Sequence, residues 1–262
     1  MKSISAQLEG LPRFKDVVIN RSKELDSCWL QYQENEKAHW LHRLNVDKFD
    51  PDPWESYRAA YENWGLKIGC FKGQHILDIG AGPFGFCTTL ALHGEDKLPD
   101  EIVLLDPLMQ FYRGVGLPKG MPENCHYVES LGEKTPFLDK SFDSIISTNT
   151  IDHVQDYNSL LEEIKRLLKP DGRFYFFVHI LEEWATPFKK IIKLVDKNHP
   201  HHFSANELNS ILLENGFQQE LASTRFMNKW ELFAESDDIR RKVMKNIAYF
   251  TIKIHFVVAR LT

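Results

Sequence analysis

The sequence contains few cysteines, and their spacing excludes the common cysteine motifs. Its 262 residues include four cysteines, at Cys28, Cys70, Cys87 and Cys125. No two of them form a CxxC pair, and no histidine stands at zinc-ligand spacing from any of them. We therefore expect four buried thiols in a reducing compartment, and no cysteine-bound metal.

The chain also lacks long apolar runs and an excess of basic residues. It has no stretch of about 18 apolar residues, and its first residues, MKSISAQLEG, contain no apolar signal core. The formal net charge is -5, whereas binding to nucleic acid favours clustered lysine and arginine. We therefore expect a cytoplasmic protein that neither spans a membrane nor binds nucleic acid.

From residue 75 onward, the order of apolar segments predicts an α/β fold. The strand candidates are HILDIG, EIVLLD, CHYVES, SFDSIISTNT, RFYFFVHI, FQQELASTRF and IAYFTIKIHFVVARL. Several of them alternate with amphipathic helical segments, which implies parallel crossovers, and near-continuous apolar strands are typical of sheets covered on both faces. The sequence therefore predicts a seven-stranded, mostly parallel, doubly wound sheet.

Other segments around these strands predict helices. Residues 1–70 are rich in aromatic residues at helical spacing and have few strand signals, so we expect a helical N-terminal cap. Residues 71–262 form the main domain, with insertions near 181–200 and 226–246 after the fifth and sixth strands. In SANELNSILLENGF, Ser204 and Glu207 have the spacing of a capping box.

Glycines follow the first strand of the main domain directly. In HILDIGAGPFG, residues 75–85, the glycines Gly80, Gly82 and Gly85 have GxGxxG spacing, and Asp78 lies two residues before the first. Glycines between a strand and a helix allow a tight turn and close approach of a ligand. Asp106 ends the second strand, where a carboxylate can accept both hydroxyl protons of a ribose. By pattern alone, a dinucleotide and another nucleoside ligand both fit this loop.

Four blocks in order resemble the class I S-adenosylmethionine-dependent methyltransferases, which have a Rossmann-like fold, and in particular those acting on small molecules. The blocks are HILDIGAGPFG, IVLLDPLMQFY, TPFLDKSFDSIISTNTIDHV and LLEEIKRLLKPDGRFYF. The resemblance covers roughly residues 70–180, with a weaker match over 199–262. It implies S-adenosyl-L-methionine as the cofactor and a small-molecule methyl acceptor.

The resemblance also implies a set of cofactor-binding residues. They are Asp78, Gly80, Ala81, Gly82, Asp106, Pro107, Leu108, Gly132, Glu133 and Asn149. By this resemblance the glycines pass under the methionine part, Asp78 orients its ammonium group and Asp106 holds the ribose. The chain departs from the pattern at Leu131, where relatives often carry an acid that contacts adenine, so Glu133 or the backbone of Gly132 is expected to substitute.

Three histidines are candidates for a general base. An oxygen nucleophile often loses a proton during methyl transfer, and histidine has a pKa suited to this task. His153 follows the fourth strand, His179 ends the fifth, and His202 lies in the segment HPHHFSANEL. A structural role remains an alternative for each of them. His199, His201 and His202 are clustered, but the sequence shows no acid or cysteine placed to complete a metal site, so we expect none.

The sequence therefore predicts an S-adenosylmethionine-dependent methyltransferase that methylates oxygen on a small molecule, a glycan or a lipid-linked intermediate, assisted by a histidine. Two alternatives stay open, a C-methyltransferase of quinone type and a non-catalytic nucleoside-binding module. The oligomeric state does not follow from the sequence.

Overall fold

The computed structural model describes residues 2–21, 25–44, 54–67, 69–86, 98–195, 199–226 and 250–262. The helices are α1 (Ile4–Leu8), α2 (Ser27–Leu44), α3 (Trp54–Asn63), α4 (Met109–Gly114), α5 (Tyr157–Leu167), α6 (Lys189–Val195) and α7 (Ala205–Glu214), with a 3₁₀ helix at Glu183–Phe188. The strands are β1 (Arg13–Phe14), β2 (Val17–Ile19), β3 (His75–Ile79), β4 (Glu101–Leu105), β5 (Cys125–Glu129), β6 (Phe142–Thr148), β7 (Leu168–Leu181), β8 (Phe203–Ser204), β9 (Phe217–Phe226) and β10 (Ile252–Leu261).

All the strands belong to one sheet, in the order β1-β2-β5-β4-β3-β6-β7-β10-β9, with β8 paired to β7. The pairs from β2 through β5, β4, β3 and β6 to β7 are parallel, whereas β10 runs antiparallel to both β7 and β9. The seven expected strands are β3 to β7, β9 and β10. The predicted mostly parallel, doubly wound α/β sheet is therefore confirmed.

The sheet is larger than expected because short strands extend it. β1 and β2 lie within the first twenty residues, and β2 pairs in parallel with β5. Val17 and Val18 are buried there, which explains why this segment joins the sheet. Residues 1–70 are therefore helical only in part, with α1, α2 and α3 beside a β-hairpin. The expected domain boundary at residue 70 stays a prediction.

Both faces of the sheet are buried, as near-continuous apolar strands predict. In β3, Leu77 and Ile79 point into one apolar cluster and Ile76 points into the other. β4 alternates in the same way, with Val103 on one face and Ile102 on the other. On the first face α5 contributes Leu160, Leu161, Ile164 and Leu167, each at most 1% exposed.

Some sequence predictions have definite outcomes, and others fall outside the described residues. The capping box of α7 forms, since the Ser204 side chain accepts from the Glu207 amide and the Glu207 side chain accepts from the Ser204 amide. Cys70 and Cys125 are free thiols and half-buried, so the expectation of buried thiols is met only in part for these two. Residues 87–97, which follow the glycine turn, and most of the insertion expected near 226–246 lie outside the described residues.

The parallel strands end together at one edge of the sheet. The carboxyl ends of β3, β4, β6 and β7 are neighbours there, because the strands are adjacent and parallel. Open α/β sheets bind ligands at this edge. Most candidate residues from the sequence lie on loops that follow parallel strands, whereas Asp78 lies within β3, His179 lies within β7 and His202 precedes β8. Among the helices of the described residues, none combines the length and apolar character that crossing a bilayer requires.

Candidate active site

The turn after β3 requires glycine for two different reasons. Gly80 has a φ of 71°, and a Cβ atom on it would overlap the Thr150 side chain. Gly82 has a φ of 60°, and a Cβ atom there would meet no heavy atom of the described residues within 4 Å. Gly80 is therefore needed for packing against Thr150, whereas Gly82 leaves open space beside the backbone.

Asp106 joins the end of β4 to this turn. Its Oδ2 atom accepts a hydrogen bond from the Gly82 amide at 2.9 Å, and its Oδ1 atom accepts one from the Leu108 amide at 2.8 Å. Burial raises the pKa of the Asp106 carboxyl to about 7, and the carboxylates of Glu36 and Glu129 act in the same direction, while the two amide hydrogen bonds oppose them. The carboxylate therefore sits at the turn in an environment that disfavours its charge.

Asp78 and Ala81 are buried inside the turn. Asp78 is fully buried, and its Oδ2 atom accepts a hydrogen bond from the Phe86 amide at 2.5 Å. The Ala81 amide donates to the Leu105 carbonyl at 3.1 Å. Asp78 thus fixes the conformation of the turn, and its expected contact with a ligand ammonium group stays a prediction.

Helix α2 lies along the carboxyl edge of the sheet and packs against the glycine turn after β3 and the loop after β4. The Trp40 ring packs edge-on against the Phe84 ring, with centroids 5.9 Å apart, and also joins the small apolar cluster of Leu108. At the other end of α2, the Trp29 indole donates to the His153 carbonyl at 3.0 Å. One helix from the N-terminal segment therefore reaches from the glycine turn to the loop after β6.

The remaining expected cofactor residues lie around the same edge. Pro107 is half-buried after β4. Glu133 is 8% exposed, and its Oε1 atom accepts from the Gln155 amide at 2.9 Å, so it braces the loop after β6. A Cβ atom on Gly132 would lie 2.8 Å from both Ile79 and Leu160 side-chain atoms.

Asn149 follows β6 with a φ of 54°, a strained value for a residue with a side chain. Adenine contacts by Gly132 or Glu133, and the cofactor contact of Asn149, stay predictions.

The loop after β6 and the segment before β8 together form a cluster that the sequence does not reveal. We call Asp152, His153 and His199 the Asp152 cluster. Their ligating nitrogen and oxygen atoms all lie within 4.8 Å of one another. The expectation that no acid accompanies the histidines is therefore wrong. One part of the cluster is visible in the sequence, because Asp152 directly precedes His153 shortly after a parallel strand. The proximity of Asp152 to His199 depends on the fold.

The other two expected histidines lie beside this cluster. Burial lowers the pKa of His179, and the positive charges of His199, His153 and Arg225 act in the same direction, whereas Asp152 opposes them. His202 is 8% exposed, and its ring centroid lies 6.3 Å from that of His199. The structure thus brings His153, His179 and His202 to one region.

A groove adjoins the histidine segment. It has a volume of about 590 Å³, and its lining includes Tyr157, Lys189, His202, Phe203 and Ile211. His202 therefore contacts both the Asp152 cluster and the groove. Aromatic and aliphatic side chains give the groove apolar surface, and the Lys189 ammonium in it is paired with the Glu207 carboxylate at 2.8 Å.

Comparison with known proteins identifies the central part of the chain. Residues 77–176 match the family model of a methyltransferase domain. The chain is 27% identical over 172 residues to cycloartenol-C-24-methyltransferase 1 of Oryza sativa subsp. japonica. That alignment covers 65% of this chain and 48% of the relative. The chain is 30% identical over 135 residues to the ubiquinone/menaquinone biosynthesis C-methyltransferase UbiE of Francisella tularensis subsp. tularensis (strain WY96-3418), which covers 50% of each.

A solved structure has the same fold. Phosphoethanolamine N-methyltransferase 2 of Haemonchus contortus, in complex with S-adenosyl-L-methionine, superposes with a TM-score of 0.58 at 18% identity, over 91% of this chain and 61% of that one. Residues 77–176 thus match a methyltransferase domain, and the chain shares the fold of a solved methyltransferase, as the four sequence blocks predict. The chain spans about half the length of the two curated relatives described above.

Proposed function

We propose that this protein is an enzyme that transfers a methyl group from S-adenosylmethionine to a small-molecule acceptor. The observation that carries the proposal is the carboxylate of Asp106 beside the open turn at Gly82, within a methyltransferase domain. A carboxylate at the end of the second parallel strand is the group that accepts ribose hydroxyls in doubly wound folds.

The residues at the turn fit the cofactor in shape and in chemistry. The space beside Gly82, which no described residue fills, leaves room for the methionine part close to the backbone. Leu108 and the Trp40 ring, which pack together in one cluster, offer an apolar surface for the adenine. When bound, the cofactor supplies a methyl group on a sulfonium, so the protein's own task is to align the acceptor and remove a proton.

The histidines at the ends of β6 and β7 support an oxygen acceptor. His153, His179 and His202 meet at the carboxyl edge, near the turn that holds the cofactor in this proposal. His179 is the best placed base, because it lies two residues before the end of β7 and its burial favours the neutral imidazole that accepts a proton. In this step the acceptor hydroxyl gives its proton to the imidazole while its oxygen bonds to the methyl carbon and the carbon–sulfur bond breaks.

Methylation of carbon is a second candidate. It is favoured by the names of the two curated relatives, which are a sterol C-24-methyltransferase and a quinone C-methyltransferase. A carbon acceptor also needs a base, so the same histidines serve either reaction. The non-catalytic module remains the alternative in which the cofactor binds and no methyl group is transferred.

The experiment is an acceptor panel in which S-adenosylhomocysteine formation is measured by mass spectrometry. The panel contains hydroxylated aromatic compounds, hydroquinones with a free ring carbon, and sterols. Product NMR distinguishes a methoxy group from a methyl group on carbon. The proposal expects turnover with at least one hydroxylated acceptor and its loss in His179→Ala. A product methylated on carbon would overturn O-methylation and support C-methylation. Cofactor binding without any product would support the non-catalytic module.

A further inference from the structure

We propose that the Asp152 cluster binds a divalent first-row transition metal ion such as Zn²⁺. The ligands are one carboxylate from Asp152 and one imidazole nitrogen each from His153 and His199. Binding of the ion goes beyond the proposed methyl transfer and does not depend on it, and only the effect of the ion on an acceptor rests on that proposed function. Two histidines with one carboxylate are a ligand set that suits such ions.

The distances in the cluster suit ligands of a shared ion better than hydrogen-bonded partners. The Nε2 atom of His153 lies 3.9 Å from Asp152 Oδ1, and the Nε2 atom of His199 lies 3.9 Å from Asp152 Oδ2. These separations are too long for hydrogen bonds. With metal–ligand bonds of about 2.0–2.2 Å, two tetrahedral ligands lie about 3.3–3.6 Å apart. Small side-chain rotations would bring the three groups to that spacing.

The burial of Asp152 is an independent indication of a cation. The residue is 2% exposed, and its Oδ1 atom accepts no hydrogen bond from any described residue. A buried carboxylate oxygen without such a partner is costly, and a metal ion coordinated by this oxygen would remove that cost. The His153 and His199 side chains are 26% and 30% exposed, so an ion can reach the cluster from solvent.

A second cluster in the same protein serves as a control, because its carboxylate is already satisfied. Glu101 lies between His75 and His126, with 3.5 Å from a carboxylate oxygen to each Nε2 atom. Its two oxygens also accept hydrogen bonds from the amides of Ile4 and Ser5, at 3.0 and 3.1 Å. Glu101 therefore anchors α1, and it is not a candidate metal ligand.

Three protein ligands leave a fourth position open, as in catalytic zinc sites. The Asp152 cluster lies at the carboxyl edge of the sheet, next to His179 and His202. An acceptor oxygen bound at the open position would be polarised by the ion and would lose its proton more easily. The site would thus select acceptors with a hydroxyl or carboxylate group.

The test is metal binding by the full, untagged chain after removal of metals with a chelator. Titration calorimetry with Zn²⁺ and the visible absorption of Co²⁺ are the two readouts, and neither depends on turnover. We expect one ion per chain and the absorption of a Co²⁺ complex with nitrogen and oxygen ligands. His199→Ala should weaken binding at least about 100-fold, because even the outer partners of metal ligands contribute about 10- to 100-fold.

The control variants separate this site from other histidines. Glu101→Gln and His126→Ala should keep the Zn²⁺ affinity of the unchanged chain, whereas Asp152→Asn should lose it. Circular dichroism checks the fold of each variant, and His199→Ala stays informative if Asp152→Asn does not fold, since His199 is half-exposed. Absence of Zn²⁺ binding, or equal affinity in His199→Ala and the unchanged chain, would overturn the proposal. Cofactor titration on the same preparation shows separately whether the methyltransferase proposal holds.

Discussion

The Oδ2 atom of Asp106 and the amide of Gly82 are joined by a hydrogen bond of 2.9 Å, which connects the end of β4 to the turn after β3. The same carboxylate accepts from the Leu108 amide through its other oxygen. One side chain therefore fixes the distance between two neighbouring loops at the carboxyl edge. Because it is also the proposed ribose ligand, its removal should affect cofactor binding more than folding.

Asp106→Asn should weaken S-adenosylmethionine binding about 10- to 100-fold. The variant loses charge-assisted hydrogen bonds to the ribose, which contribute about 1.5–3 kcal/mol. Asp100→Asn is the matched control, because Asp100 is exposed and precedes β4 where Asp106 follows it. Calorimetric titration of both variants tests the assignment, and equal affinity in the two would remove Asp106 from the ribose site.

Cofactor affinity should rise as the pH increases through about 7. The pKa of the Asp106 carboxyl is raised to about 7 by burial, and the ionised form is the better acceptor for ribose hydroxyls. Titrations at several pH values around 7 measure this effect. In Asp106→Asn the rise in cofactor affinity around pH 7 should disappear. If the rise persists in this variant, another titrating group causes it.

The same raised pKa predicts how Asp106 affects folding stability. Between the ordinary aspartate pKa of 3.8 and the raised pKa of about 7, the unfolded chain ionises this carboxyl while the folded chain keeps its proton. The contribution of Asp106 to stability therefore decreases as the pH rises through this window. Urea unfolding across the window should show the unchanged chain losing stability relative to Asp106→Asn as the pH rises, and a constant difference between the two would show that the pKa of this carboxyl is not perturbed.

Gly80→Ala and Gly82→Ala should have different consequences. At Gly80 the new methyl group overlaps Thr150 and the φ is positive, so we expect a loss of about 2–4 kcal/mol in the free energy of unfolding. At Gly82 only the positive φ opposes alanine, at about 1–2 kcal/mol, but the methyl group enters the open space proposed for the cofactor. Urea unfolding and cofactor titration of both variants separate packing from binding. Equal stability losses would contradict the role given to Thr150.

Much of this architecture follows from local sequence pattern, because the buried parallel strands are short apolar runs bounded by turns. The strands β3 to β7 and the capping box of α7 are examples. β1 and β2 do not follow from it, since strands of two and three residues carry too little pattern to recognise. The Asp152 cluster escapes sequence reasoning for another reason. Asp152 and His199 are 47 positions apart, and only the loop after β6 and the segment before β8 bring them together.

An ion pair between the buried carboxylate of Glu163 and the partly exposed Arg166 supports the loop that carries Gly132 and Glu133. Glu163 accepts hydrogen bonds from the Thr135 amide and hydroxyl, at 2.8 and 2.7 Å, and from Arg166. Although burial acts to raise its pKa, the hydrogen bonds from Arg166 and Thr135 outweigh burial and lower it. Glu163→Gln should therefore cost about 2 kcal/mol at neutral pH.

The pH dependence of this network has the opposite sign to that of Asp106. A lowered pKa gives stability that is complete above the unfolded pKa, 4.5 for this group, and is lost as the pH falls. The difference between the unchanged chain and Glu163→Gln should therefore shrink in acid. Glu162→Gln, at the exposed neighbouring position in α5, should change little at any pH. A difference that does not depend on pH would show that the charge of Glu163 contributes nothing.

The central claim is that this chain binds and uses S-adenosylmethionine. Calorimetric titration of the full chain with S-adenosylmethionine, and in parallel with NAD, tests it most directly. We expect binding of one S-adenosylmethionine per chain, weakened in Asp106→Asn but not in Asp100→Asn, and no binding of NAD. Binding of NAD without binding of S-adenosylmethionine, or of neither, would contradict the claim.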